Sequence, residues 1–188
     1  MRLFAAIDLD DDARGAIAAE QKRLTRELAG GESSLRMVRP EQMHLTLAFL
    51  GEVENGRGVS VVEAMRADLD ALAFAIVFAG LGVFPPHGAP RVLWLGVRAG
   101  HDAAIVVQRQ VADRLAQAGI AFERRAYHPH LTLARWRTAA PADRRRALAA
   151  DRGADLARVN VTAVTLYQSH LSSSGPSYTA LAQAALRA

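Results

Sequence analysis

The chain has no cysteine. Disulfide staples, thiolate nucleophiles, zinc ribbons and iron–sulfur ligation are therefore excluded, and only His, Asp and Glu remain as metal ligands. Lysine is nearly absent too, Lys22 being the only one. There is no Gly-Lys-Ser or Gly-Lys-Thr to cradle a nucleoside triphosphate, and a lysyl-adenylate or Schiff base would have to form on Lys22, in a charge-rich helical stretch. No apolar run approaches the ~18 residues of a membrane span. The opening Arg2-Leu3-Phe4-Ala5-Ala6-Ile7-Asp8 is charged too soon for a secretory signal, so a cytoplasmic location with no membrane partner is expected.

What is present suits one folded unit. The 188 residues, 51% of them apolar and 22% charged, are enough to bury a core and match one domain or two small lobes sharing it. Net charge is +4, and the basic side is almost entirely arginine. The guanidinium fork pairs with phosphate oxygens, so the excess favours phosphate ligands.

Alternating and helical apolar periods divide the chain into elements. Arg2 to Asp8 reads as a buried strand. Asp10 to Asp12 supply the cap and first-turn carboxylates of a helix carrying Ile17, Leu24 and Leu28, ended by Gly30-Gly31. Leu35 to Val38 is extended, and Met43 to Leu50 is a strand stopped by Gly51. Val61, Val62, Met65, Leu69 and Leu72 fall at helical spacing, and Phe74 to Phe78 returns as strand. Pro85 to Pro90 is a loop before a strand at Arg91 to Val97. A helix from Asp102 to Ala118 stops at Gly119. Strands are expected at Ile120 to Glu123 and Tyr127 to Trp136, a helix at Pro141 to Ala149, and closing strands at Val159 to Tyr167 and Tyr178 to Ala182. Ser172 to Pro176 reads as a hairpin loop. The reading is an α+β body of two similar lobes, with pseudo-repeats at roughly 1–85 and 90–188 in a single domain spanning 1–188.

One repeat is literal. His44-Leu45-Thr46-Leu47-Ala48 recurs as His130-Leu131-Thr132-Leu133-Ala134, and a letter-for-letter internal repeat outranks other clues. Period-two geometry puts His44 and Thr46 on one strand face and Leu45 and Leu47 on the other, and the second copy behaves identically. If a pseudo-twofold relates the lobes, two imidazoles flank one central position. A phosphodiester displacement needs such a pair, a base for the attacking oxygen and an acid for the leaving one, while the threonines hold the non-bridging oxygens. Two alternatives stand beside this reading. One is a binding module that keeps the cleft without turnover; the other is a metal-dependent phosphohydrolase built on His128 and His130, whose spacing suits a metal.

The paired His-x-Thr motifs resemble those of the 2H phosphoesterase superfamily. The surrounding sequence is similar to its RNA 2',3'-cyclic phosphodiesterase branch, historically called 2'-5' RNA ligase. The similarity runs through Arg2 to Asp8, Val38 to Gly51, Phe84-Pro85, Pro90 to Val97, His128 to Arg135 and Leu166 to Ser169, with Gly175 and Tyr178 beyond. The resemblance implies a bilobal α+β fold, two antiparallel-type sheets around a central cleft with helices outside. It also implies metal- and cofactor-free hydrolysis of an RNA-terminal 2',3'-cyclic phosphate, or of a cyclic nucleotide, to the 2'-phosphate, with reversible 2'-5' ligation as an option. Carried onto this chain, it makes His44 the general acid, His130 the general base, and Thr46 and Thr132 phosphate ligands. Pseudo-symmetry leaves the acid and base interchangeable on sequence grounds. Arg135 matches an arginine after the second motif, yet strict alternation puts it on the wrong face unless a bulge intervenes. His128 shares the face of His130 and is a further substrate-binding candidate. Phe4, Trp94, Tyr127 and Tyr178 are open to base stacking or to the core. Arg144-Arg145-Arg146 reads as an RNA-attracting run or a solvated helix face. A monomer is expected.

Overall fold

A computed structural model of the chain describes residues 1–29, 34–120, 126–172 and 175–188. The strands are β1 (Arg2–Asp8), β2 (Ser34–Met37), β3 (His44–Glu52), β4 (Leu69–Leu72), β5 (Phe74–Phe84), β6 (Val92–Ala99), β7 (His130–Thr138), β8 (Asp155–Val161), β9 (Ala163–Ser172) and β10 (Gly175–Arg187). The helices are α1 (Asp11–Glu27), α2 (Asn55–Ala64), α3 (His101–Gln117) and α4 (Pro141–Ala149), with a 3-10 turn at Pro40–Gln42. The strands form two five-stranded sheets, in the orders β3-β1-β9-β10-β4 and β2-β7-β6-β5-β8. Every described pairing is antiparallel except β4 with β10. This is the expected α+β arrangement of two sheets with helices outside.

The strands do not sort by chain half. The first sheet takes β1, β3 and β4 from the start of the chain and β9 and β10 from its end, while the second takes β5 to β8 from the middle and is joined by β2 from between β1 and β3. Helix α1 follows a strand of the first sheet but packs against β2 and β8 of the second, and α3 follows a strand of the second but packs on β3 and β4 of the first. This interleaving ties the sheets together through a single apolar core, in which Leu3, Ile7, Leu45, Ile17, Phe78, Leu93, Leu131 and Val111 are all buried.

Local signals account for most boundaries. Asp10 caps α1, its Oδ1 accepting from the Ala13 N–H at 2.8 Å, and Asp11 and Asp12 face the helix dipole. Gly119, at φ 80, ends α3 in the left-handed conformation. Three expectations need correction. Gly51 does not stop β3 but sits inside it at φ 67, beside a register shift against Leu3. Leu69 and Leu72 do not extend α2: they form β4, with Leu69 and Ala71 buried and Leu72 exposed, because the edge of β10 recruits them as a strand. The closing strand expected at Val159 to Tyr167 is two strands, β8 and β9, each in a different sheet. Gly30-Gly31, the strand signal at 121–123 and the middle of the expected 172–176 loop fall outside the described residues.

A buried amide joins α1 to the second sheet. Gln21 is 5% exposed, and its Nε2 donates to the carbonyls of Val38 at 2.8 Å and Leu133 at 2.9 Å. Leu133 also accepts from the Val38 N–H at 2.8 Å. Replacing Gln21 with Met keeps the volume but strips a donor from two buried carbonyls. Urea unfolding should show a loss of about 1–3 kcal/mol at unchanged slope; an unchanged midpoint contradicts the assigned role.

Candidate active site

His44 opens β3 and His130 opens β7. Across the five motif residues the burial is the same in both copies: His and Thr partly accessible, the two leucines and the alanine buried. The two strands pack against one another, one from each sheet. Tyr127, just before β7, crosses between them, its hydroxyl donating to the Thr46 carbonyl at 2.9 Å.

The pairing registers show how the site is aimed. Against β1, β3 runs Ala6 with Thr46 and then Ala5 with Ala48, so Leu47 is an extra residue. Against β6, β7 runs Trp94 with Thr132 and then Leu93 with Ala134, so Leu133 is the extra residue. Both bulges fall on the fourth residue of the motif. An extra residue reverses the alternation beyond it. Arg135 accordingly joins His130 and Thr132 on the cleft face, where it lines a cavity of about 300 Å³ with His44, Thr46 and Thr132. The corresponding position in the first copy is Phe49, which is 53% exposed and lies under the Arg2 guanidinium at 5.1 Å.

The cavity is electropositive. Arg36, Arg39 and Arg135 line it, with no carboxylate among its lining residues. Sequence reasoning missed Arg36, which enters because β2 pairs it with Arg135. A second cavity shares His44, Arg39 and Tyr178 with the first and adds Asp8, Arg14, Glu41 and Tyr167 among others. Its charges are mixed.

Each histidine is held by the carbonyl two residues upstream. His130 Nδ1 lies 2.7 Å from the His128 carbonyl, and His44 is hydrogen-bonded to the backbone of Gln42. A ring whose Nδ1–H donates to a carbonyl keeps Nε2 as its free acceptor nitrogen; His44 lines the cavity, whereas His130 is not among its lining residues. Aromatic walls fix both rings. Phe4 stacks on His44 at 4.6 Å with Tyr178 edge-on at 5.3 Å, while Phe84 and Trp94 stand edge-on to His130 at 5.0 and 5.9 Å. Trp94 lies over its cross-strand neighbour Gly82, where any Cβ would collide with the indole. Burial pushes His44 down to about 4, against the upward pull of Asp8 and the Gln42 hydrogen bond. Burial also lowers His130, against the hydrogen bond to the His128 carbonyl, and the neighbouring His128 and then Arg135 add to the decrease.

The remaining candidates sort by contact. His128 contributes its carbonyl to His130, and its ring lies among Phe84, Trp94 and His101 rather than in the lining of either cavity. Among the described residues, no three His, Asp or Glu side chains converge as a metal-binding group. The arginine run is neither an open patch nor a solvated face throughout. Arg144 donates to the carbonyls of Pro85 and Gly88 at 2.7 and 2.9 Å, and Arg146 to those of Leu28 and Ala29 at 3.2 and 3.0 Å, so both latch loops to α4.

Two histidines on bulged strands that pack together, one of them lining an arginine-rich cavity, suit a phosphoesterase, and comparison with known proteins agrees on that class. The model of the 2'-5' RNA ligase superfamily matches residues 11–172. The chain is 35% identical over 135 residues to an RNA 2',3'-cyclic phosphodiesterase of Archaeoglobus fulgidus, covering 72% of each chain. It is 31% identical over 181 residues to one of Methanothermobacter thermautotrophicus, covering 95% of each. The structure of Escherichia coli LigT complexed with 3'-AMP superposes with a TM-score of 0.77 at 28% identity, over 98% of this chain and 97% of that one. The chain belongs to the 2'-5' RNA ligase superfamily.

The depressed His44 has a measurable consequence. Its ring should remain neutral as the pH falls from 7 and titrate near about 4 by NMR. Between its ordinary 6.5 and about 4, the unfolded chain takes up a proton that the folded chain refuses. Stability should therefore fall as the pH is lowered from 6.5 to about 4, and less so in His44→Gln. A ring that titrates near 6.5 contradicts the assignment.

Proposed function

We propose that the protein hydrolyses RNA-terminal 2',3'-cyclic phosphates to 2'-phosphates by paired histidine acid and base catalysis without a metal ion. The cyclic phosphate sits in the arginine-lined cavity, its non-bridging oxygens on the hydroxyls of Thr46 and Thr132. His130 takes a proton from water as the water oxygen bonds to phosphorus. The bond from phosphorus to the 3'-oxygen breaks, and His44 gives that oxygen a proton. Arg135 stabilises the charge that grows on the equatorial oxygens. The duplicated His-x-Thr face, repeated down to its bulge and burial, carries the reading. The division of roles draws support from the surrounding charges: the carboxylate acting on a histidine, Asp8, acts on His44 and favours its protonated form, while the Arg135 cation disfavours protonation of His130. The bound phosphodiester adds a second negative charge beside His44. We infer further that the enzyme acts as a single bilobal monomer in the cytoplasm; no described helix is long and apolar enough to cross a membrane.

Turnover of an oligonucleotide with a 2',3'-cyclic end, measured in EDTA, tests this. His44→Ala and His130→Ala should each lose at least ~100-fold in kcat, and Arg135→Ala about 100-fold. The kcat/KM profile should be bell-shaped with both limbs below pH 6.5, because both histidines are depressed in the free protein. The alkaline limb should lie higher in kcat than in kcat/KM, since only the bound state carries the phosphate charge. Full activity in both alanine variants contradicts the mechanism, and activity only with added divalent metal points instead to a metal hydrolase.

A further inference from the structure

Asp8 stands directly opposite His44 in the β1–β3 pair, so the two side chains share one face and border the second cavity together. Both its oxygens are engaged: Thr165 Oγ1 donates to Oδ2 and the Tyr167 hydroxyl to Oδ1, each at 2.7 Å. Thr165 is buried and itself accepts from Gln183 Nε2 at 3.5 Å. That contact commits its own proton to Asp8. Residues of β1, β9 and β10 thus fix one carboxylate at the edge of the catalytic cleft, in the acceptor role a carboxylate plays.

The other charged or titratable groups around His44 are Arg14 from α1, Arg36 from β2, Arg39 and Glu41 at the turn, Tyr167 from β9, Tyr178 from β10 and Arg135 from β7. Asp8 is the neighbour whose charge pulls His44 upward. The ring cannot swing away to find another partner, because Phe4 and Tyr178 wall it.

We propose that Asp8 is the positioning residue of the proton donor: held by Thr165 and Tyr167, its charge favours the imidazolium of His44 that protonates the departing 3'-oxygen. This rests on the reading of His44 as the acid. The carboxylate gains and loses no proton. The proton passes from His44 to the 3'-oxygen as the phosphorus–oxygen bond breaks, and neutral His44 then recovers one from solvent.

The test is the pH dependence of kcat for a 2',3'-cyclic-ended oligonucleotide in EDTA, with wild type, Asp8→Asn, Asp8→Glu and Tyr167→Phe. In Asp8→Asn the alkaline limb should move down by about one pH unit, with kcat at pH 8 about tenfold lower and KM within about twofold. Asp8→Glu should recover part of the loss. Tyr167→Phe keeps the charge but removes one hydrogen bond that compensates it, so its limb should move up rather than down, and an unmoved limb there counts against the proposal if Asp8→Asn does not fold. A substrate with sulfur in place of the 3'-bridging oxygen departs as a thiolate without protonation, and Asp8→Asn should turn it over at the wild-type rate. An unmoved limb in Asp8→Asn, an unmoved or lowered limb in Tyr167→Phe, or equal losses on both substrates overturns the proposal. Wild type that turns over while the variants behave otherwise counts against Asp8 alone, whereas wild type inactive in EDTA overturns both this and the parent reading.

Discussion

One additional residue in each of two strands sets the contents of the cleft. Without the bulges at Leu47 and Leu133, alternation would carry Arg135 and Phe49 to the covered faces of their sheets, among the leucines. With them, each motif strand shows the cleft an imidazole, a hydroxyl and then a third side chain. Burying the extra leucine in the core makes the bulge a stable feature, since both leucines are at most 3% exposed. The Leu133 carbonyl is fixed as well, by the Val38 N–H and by Gln21. The repeat is therefore one of backbone path as much as of residues. Its asymmetry lies in the third side chain, a cation in one lobe and a phenyl ring in the other.

Burial makes the chemistry selective. Aromatic walls and backbone carbonyls leave each histidine little freedom, and desolvation holds both rings toward the neutral form in the free protein. A site in that state is tuned by whichever charges enter it. The carboxylate beside His44 and the guanidinium beside His130 break a symmetry that the motif alone does not. An incoming phosphate anion in the arginine-lined cavity adds to the carboxylate's pull on His44, which lines it. The cavity that would receive the anion has three arginines and no carboxylate in its lining, while the second has both signs.

Period-two and helical patterning made the shared face of each His-x-Thr strand legible in advance. His44 with Thr46, His130 with Thr132, the Asp10 cap and the bounds of α4 all follow from local pattern and cap chemistry. Features that depend on pairing were not legible. The bulge is invisible until β6 is laid beside β7, and only the register puts Arg36 next to Arg135 or Asp8 opposite His44. Leu69 and Leu72 satisfy a helical spacing as well as a strand, and the edge of β10 decides between them. The interleaved sheets had no local signature either, because the lobe a strand joins is set by contacts more than a hundred residues away, as with β1 and β9. Gln21 looks like an ordinary polar helix residue until the carbonyls it serves come into view.

The regiochemistry of the product tests the two-histidine account most directly. Phosphorus-31 NMR of the wild-type protein acting in EDTA on an oligonucleotide with a 2',3'-cyclic end should show the cyclic resonance replaced by that of a 2'-phosphomonoester alone. That result requires the 3'-oxygen to leave with no metal to activate water, the outcome expected of an acid and a base on opposite sides of the phosphorus. A 3'-phosphate product, or a cyclic resonance that disappears only when divalent metal is restored, would contradict it.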